Sequence, residues 1–279
     1  MQHRNLGTSG LRVSVVGLGT NNFGGRLDVN QTRAVVDRAI DAGITLFDTA
    51  DMYGNRGGSE EQLGEVLGAR RKDIVLATKF AAPMDDSGRK VGASRRWIME
   101  AVEDSLRRLK TDWIDLYQLH FPDPLTPIEE TLRALDDLIS QGKVRYIGCS
   151  NLSAWRVVES QWVARDAETH RFVSCQEEYN ILNRALEADM LPAMAEYGCG
   201  LLPYFPLASG LLTGKYKREA MPAGARLTDT PKFANREYVT ERNWAMIEAL
   251  EAFASKRGHT LLELAFAWIL ARPETSSVI

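Results

Sequence analysis

Eight short apolar runs, spaced along the whole chain, constrain its fold more than any other feature. They lie at Val13–Leu18, Ile44–Phe47, Ile74–Thr78, Ile114–Leu119, Val144–Cys149, Phe172–Cys175, Gly200–Tyr204 and Ser277–Ile279. They are rich in Val, Ile, Leu and Phe and do not alternate with polar residues, as expected of strands buried on both faces of a parallel sheet. Amphipathic stretches fall between them. Ile128, Leu132, Leu135 and Leu138 share one helical face. Thr126 as N-cap, Pro127 in the first turn and Glu129 closing a capping box predict the start of that helix. Ser59 with Gln62, and Thr260 with Glu263, predict two more starts. Ile98, Val102, Leu106 and Leu109 form another stripe, and Val35, Val36, Ala39 and Ile40 a further one. Strand–helix alternation repeated about eight times in ~250 residues is the arithmetic of a (β/α)8 barrel, here a single domain over residues 1–279. No residues follow the eighth run, so the barrel is expected to lack its last helix and C-terminal tail.

The rival is a doubly wound open sheet with a phosphate-binding turn after its first strand. Gly17-Leu-Gly19 imitates such a turn, but the third glycine position is Asn22 and the next helix begins near Asn30. Composition narrows the function classes. Lys and Arg number 34 and Asp and Glu 37, a net charge of −3, which suits neither nucleic acid nor an anionic membrane. No apolar run approaches the ~20 residues of a bilayer span, and the opening MQHRNLGTSG lacks the apolar core of a signal peptide. The three cysteines, Cys149, Cys175 and Cys199, form no CxxC pair, which predicts free thiols in a reducing, cytoplasmic setting. Four histidines without a metal-ligand spacing argue against a metal enzyme.

In a barrel of this kind chemistry belongs to the C-terminal ends of the strands. Reading those ends in order gives Asp48, Lys79, His120, Ser150 with Asn151, Gln176 and Tyr204, with Tyr53 in the loop just after Asp48. Each residue alone has a plain structural explanation: a buried Asp–Lys pair, a packed histidine, a packing tyrosine. Together they make chemical sense. A lysine beside a tyrosine favours the phenolate, an aspartate keeps the lysine charged, and a histidine can hydrogen-bond a carbonyl oxygen. Such a set delivers a proton to a carbonyl, and a carbonyl that accepts a proton needs a hydride donor such as a nicotinamide. Two long irregular stretches, Ala81–Gly92 and Gly214–Glu241, are expected to form loops on the same face.

The ordered motifs resemble the aldo-keto reductases. They are Gly17-Leu-Gly-Thr20, Phe47-Asp-Thr-Ala-Asp-Met-Tyr-Gly54, Ser59-Glu-Glu61, Ala77-Thr-Lys79 and Leu116-Tyr-Gln-Leu-His120. Ile147-Gly-Cys-Ser-Asn151, Gln176, Tyr204-Phe-Pro-Leu207 and Gly210-Leu-Leu-Thr-Gly-Lys215 complete the series. The resemblance implies a barrel that binds NADP, or less readily NAD, and reduces an aldehyde or ketone to an alcohol. By the same resemblance Tyr53 is the general acid, Asp48 and Lys79 tune it, and His120 orients the carbonyl. Thr20 and Asp48 would lie at the nicotinamide ribose, and Gly19 and Asn21 would also bind the cofactor. Ser150, Asn151 and Gln176 would hold the carboxamide and Tyr204 would stack on the ring. Leu207, Ser209, Gly210 and Lys215 would fall in the loop over the pyrophosphate, and Phe205 would also bind the cofactor. Asn21 and Asn22 stand where many members carry a large aromatic, which opens one wall of the substrate pocket. Phe23, Met52, Phe80 and Phe121 are the candidate apolar walls. The residues that distinguish NADP from NAD would lie past Ile279.

Two other readings remain open at this stage. Potassium-channel β-subunits share the motif set, so the chain could be a cofactor-binding regulatory protein with little turnover. A barrel lyase or isomerase could instead use Lys79 as a Schiff-base amine. A small carbonyl compound is the expected partner, with no nucleic acid and no membrane, and a homo-oligomer is compatible with the sequence.

Overall fold

The computed structural model describes residues 1–229 and 238–279. Seven parallel strands pair in chain order in one sheet: β3 (Leu18–Gly19), β4 (Leu46–Asp48), β5 (Val75–Phe80), β6 (Ile114–Leu119), β7 (Val144–Ser150), β8 (Ser174–Glu178) and β9 (Gly200–Tyr204). A helix lies in each connection: α1 (Val29–Asp41), α2 (Tyr53–Leu67), α3 (Arg95–Leu109), α4 (Ile128–Ser140), α5 (Ala154–Asp166) and α6 (Met190–Tyr197). Helices Glu241–Ser255 and Leu261–Leu270 follow β9. The chain then returns to close the ring. Val278 accepts from the amide of Gly17 and donates to Val15, while Ser276 and Ile279 donate to Leu201 and Pro203 on the other side. A Cβ at Gly17 would stand 2.6 Å from the Ile279 side chain, so this approach requires glycine there. The (β/α)8 architecture expected from the alternation is therefore present. Its eighth stave is made of the single parallel bridges Val16–Val278 and Leu201–Thr275.

The first expected strand, Val13–Leu18, divides in two. Residues Arg12–Ser14 (β2) pair antiparallel with His3–Asn5 (β1), while Leu18–Gly19 pairs with β4 and Val16 bridges to Val278. The break falls where Ser14 and Thr45 exchange amide-to-hydroxyl hydrogen bonds at 2.9 Å, replacing a backbone ladder. The hairpin has a packing role. Leu6 and Val13 join Leu46, Ala77, Leu116 and Leu202 in an apolar plug inside the barrel. That plug closes the end opposite the loops, so polar chemistry is confined to the other face.

Helix starts follow the sequence in part. Thr260 and Glu263 form the expected capping box, and Asp28 with Gln31 forms a further, unexpected one. The box at Thr126 does not form, because its hydroxyl donates instead to Asp123 at 2.7 Å, and Pro127 occupies the cap position. Ser59 is not a cap either: α2 opens with left-handed residues at Gly54, Asn55 and Arg56, and Ser59 is buried within it. The stripe of α3 is buried as expected, whereas Val35 of α1 points outward and only Val36 and Ala39 of its stripe are buried. Residues 81–92 carry no helix or strand. The second long stretch contains a short helix, Arg226–Asp229, and its Pro231 lies outside the described residues.

Helices α2 and α3 meet at Gly64, where an added Cβ would stand 2.3 Å from the Arg108 carbonyl oxygen and 2.7 Å from the Leu109 carbonyl carbon. Both are backbone atoms of an adjoining helix, so neither can yield by a rotamer change. Gly64→Ala should therefore destabilise the fold by about 1–3 kcal/mol despite its better helix propensity. A urea midpoint equal to or above that of the wild type would contradict this packing.

Candidate active site

The strand order carries the polar residues to one end of the barrel. Asp48 is the last residue of β4, Lys79 the penultimate residue of β5, and His120 follows β6 directly. Lys79 is fully buried. Its Nζ donates to Asp48 Oδ2 at 2.6 Å, to the Thr49 carbonyl at 2.9 Å and to the Tyr53 hydroxyl at 3.4 Å. The other Asp48 oxygen accepts from Gln118 Nε2 at 3.1 Å and Gln176 Nε2 at 2.9 Å. Tyr53 also meets His120 edge to face, with ring centroids 5.7 Å apart. The four expected catalytic residues thus converge.

Their protonation states follow from burial and neighbours. Burial works to lower the Lys79 pKa, but Asp48 and Tyr53 outweigh it and the net direction is upward. This is the opposite of what a Schiff-base amine needs at neutral pH. Burial raises the Tyr53 hydroxyl pKa, and Lys79 is the main opposing influence. The lysine expected to lower it is outweighed by desolvation. Burial, with the Lys79 charge second, pushes His120 down to about 2, so its imidazole is neutral at physiological pH.

The remaining expected residues fall into three groups. Ser150, Asn151, Gln176 and Tyr204 are brought together and bonded to one another. Asn151 Nδ2 donates to the His120 carbonyl at 2.9 Å and to Ser150 Oγ at 3.0 Å. Its Oδ1 accepts from the Tyr204 hydroxyl at 2.8 Å, and Ser150 Oγ donates to the Gln176 carbonyl at 2.7 Å. A second group lines the rim after β9. Phe205, Ala208 and Ser209 all adopt left-handed backbone, Ser209 keeps a buried hydroxyl with no partner, Leu207 and Gly210 are half-buried and Lys215 is exposed. Backbone held in such a conformation, with an unpartnered hydroxyl inside it, fits a loop shaped to receive a polar ligand. Gly19 and Asn21 are exposed at the loop end of β3.

The third group is turned toward the fold. Thr20 is buried, its hydroxyl donating to the Asp48 carbonyl and sharing a 3.0 Å hydrogen bond with Ser59, so its side chain does not face an open cleft. Phe23 and Phe80 also depart from expectation. Both are buried in the core between strands and helices, and Phe80 packs on Tyr117 with centroids 4.7 Å apart. In a barrel strand successive side chains alternate between the interior and the helix layer. Lys79 faces inward, so Phe80 must face outward. Met52 and Phe121 stay at the mouth: Met52 is half-buried, and Phe121 is exposed and stacks on the His120 ring at 4.3 Å.

Sequence reasoning missed several residues. Gln118 shares a face with His120 by the two-residue strand period, and that signal was available. Asp51 is buried with both carboxylate oxygens unpartnered. Burial, then the charge of Glu60, raises its pKa well above the carboxylate range. Glu60 in turn accepts from Arg108 at 2.7 Å and from the Thr78 hydroxyl at 2.6 Å. Glu177 follows Gln176 and has an unpartnered, buried Oε1. Neighbours from other elements create these last environments, and no local pattern marks them.

Comparison with known proteins agrees with this geometry. The aldo/keto reductase family model matches residues 15–279, and the chain belongs to that family. A "Probable voltage-gated potassium channel subunit beta" of Oryza sativa subsp. japonica is 40% identical over 290 residues, covering 100% of this chain and 86% of the relative. A "Versiconal hemiacetal acetate reductase" of Aspergillus parasiticus is 34% identical over 310 residues, covering 100% and 88%. The "Aldo-keto reductase YhdN" of Bacillus subtilis (strain 168) is 37% identical over 284 residues, covering 98% and 82%. Family membership makes the chain an oxidoreductase fold for small carbonyl compounds. Among the described residues no helix is long and apolar enough to cross a membrane, and no group of His, Cys, Asp and Glu could hold a metal ion.

Removing the Asp48 charge should expose how much the site depends on it. Asp48→Asn leaves Lys79 buried without its counter-ion and should cost about 3–5 kcal/mol of folding stability. Urea unfolding of the variant near neutral pH measures it; a loss below about 1 kcal/mol would show that Lys79 does not rely on Asp48.

Proposed function

We propose that the protein reduces an aldehyde or ketone to an alcohol with NAD(P)H, NADPH being the preferred donor, and that Tyr53 is the general acid. The observation that carries this reading is the Tyr53 hydroxyl lying 3.4 Å from a buried, Asp48-paired lysine at the loop end of a barrel. When bound, the nicotinamide would supply the hydride to the carbonyl carbon. The side chains supply the rest. Tyr53 keeps its proton at neutral pH because burial raises its pKa, so it is loaded as a donor. Once the proton passes to the carbonyl oxygen, the Lys79 ammonium stands beside the phenolate and stabilises it. His120 is neutral and can donate one ring N–H to the same oxygen without adding a second positive charge. Asp48 holds Lys79 in place and keeps it charged. Ser150, Asn151 and Gln176 are suited to the carboxamide, Tyr204 to the ring face, and the Phe205–Lys215 loop, with the buried Ser209 hydroxyl, to the phosphates. Exposed Phe121, stacked on His120, is a natural wall for the apolar part of a substrate.

The similarity to the rice relative favours a second reading, that of a cofactor-binding regulatory partner with little turnover. Steady-state reduction of a panel of aldehydes separates the two. Removal of the hydroxyl tests the mechanism itself. Tyr53→Phe should lower kcat by about 10²–10⁴-fold and change the dissociation constant for NADPH by no more than about threefold. Wild-type turnover by this variant would rule out Tyr53 as the acid, and tight NADPH binding without turnover by the wild type would favour the regulatory reading.

A further inference from the structure

Tyr53 opens α2, yet its hydroxyl must meet Lys79, which belongs to β5. The chain between Tyr53 and the regular part of α2 is strained. Gly54, Asn55 and Arg56 have φ values of +67°, +62° and +67°, and a non-glycine residue keeps such a conformation only where its surroundings impose it. Glu60 and Arg108 supply a restraint. Glu60 is fully buried. Its Oε2 accepts from Arg108 Nε of α3 at 2.7 Å, and its Oε1 accepts from the Thr78 hydroxyl at 2.6 Å. Thr78 precedes Lys79 on β5 and, by strand alternation, faces the helix layer. The Arg108 side chain also lies against the strained turn itself. A Cβ on Gly57 would stand 2.7 Å from its Cδ and 3.2 Å from its Nε.

We propose that Arg108, through Glu60 and Gly57, is a positioning residue that sets the Tyr53 hydroxyl against Lys79. The proposal rests on Tyr53 being the general acid of the reaction above. A buried ion pair is a weak source of net stability, because desolvation offsets its attraction and apolar replacements often serve as well. Direction is what this pair supplies. The two carboxylate oxygens of Glu60 bond to different elements, α3 and β5, so α2 cannot slide or turn without breaking one of the bonds. The strand residue that it grips is the neighbour of the very lysine that Tyr53 must meet. A misplacement of about 1 Å at a reacting group can cost on the order of 10²-fold in rate. A restraint in the helix layer therefore acts on chemistry at the barrel mouth.

The test separates stability from turnover. Arg108→Met leaves Glu60 buried without its counter-ion and should lower the urea midpoint and kcat together. Combining it with Glu60→Gln removes both charges, leaves the net charge unchanged and keeps an acceptor for Thr78. This double variant should recover most of the urea midpoint, and it serves if the single variant folds poorly. Its kcat for an aldehyde should stay about 10–100-fold below wild type, with KM and the NADPH dissociation constant changed by no more than about twofold. Arg107→Met, which removes the exposed neighbour paired with Asp104, should leave all of these unchanged. The second arm needs no turnover. In the cofactor-free protein labelled with ¹³C at the tyrosine ζ-carbon, the Tyr53 signal is assigned by its loss in Tyr53→Phe. It should be displaced in the double variant and unmoved in Arg107→Met. Recovery of kcat in the double variant, or a Tyr53 signal that stays in place, overturns the proposal. If the wild type reduces no carbonyl, the proposed reaction fails, while the Tyr53 signal still decides whether Arg108 positions that hydroxyl.

Discussion

A lysine ammonium fully removed from water is the constraint on which the rest of this site depends. Lys79 has no contact with solvent, and leaving such a charge unpaired would cost several kcal/mol. The barrel meets that cost with three acceptors from two neighbouring segments: Asp48, the Thr49 carbonyl and the Tyr53 hydroxyl. Asp48 must then be held so that one oxygen always faces the lysine. Gln118 and Gln176 do this from β6 and β8 by donating to the other oxygen. A single buried charge thus fixes the register of β4, β5, β6 and β8 at their loop ends. The apolar plug of Leu6, Val13 and their neighbours fills the opposite end, so the polar groups are gathered at the loop end.

The fold was legible because both of its periodicities are simple. Strands buried on two faces read as unbroken apolar runs, and the helices on a barrel's outside read as single stripes, as in α3 and α4. What escaped was structure that depends on contact across the chain. The first run looked continuous, but side-chain bonds between Ser14 and Thr45 divide it. Thr126 and Ser59 have the spacing of caps, yet other partners claim their hydroxyls: neighbouring Asp123 for one, and Thr20 and Thr49 from other segments for the other. Local capping signals are weak where a stronger acceptor lies nearby.

The site was legible where strand ends alone decide position, as for Asp48, Lys79, His120 and Gln176. It failed where alternation decides direction. Phe80 is next to Lys79, and adjacency suggested a shared pocket, but adjacent strand residues face opposite sides. Its aromatic partner is Tyr117 in the helix layer. The same rule, applied forward, would have added Gln118, two residues before His120. Asp51, Glu60, Arg108 and Glu177 lie beyond such rules, because residues tens of positions away supply their environments.

Two opposing influences on Tyr53 decide how this site divides its work. Lysine proximity and burial act on the phenol with opposite signs, and burial is the larger. A lysine that won outright would leave a phenolate at neutral pH, a base with nothing to donate. A burial effect without lysine would leave a phenol that holds its proton too firmly to give it up. With both present, the proton is retained in the resting state, and the charge left by its departure finds an ammonium already in place. That ammonium is available only because Asp48 outweighs the burial of Lys79 itself. The chain of compensation runs from Gln118 and Gln176 through Asp48 and Lys79 to Tyr53. Gln118, Gln176, Asp48 and Lys79 lie on four different strands and Tyr53 opens α2, so the assembly exists only once those strands are paired.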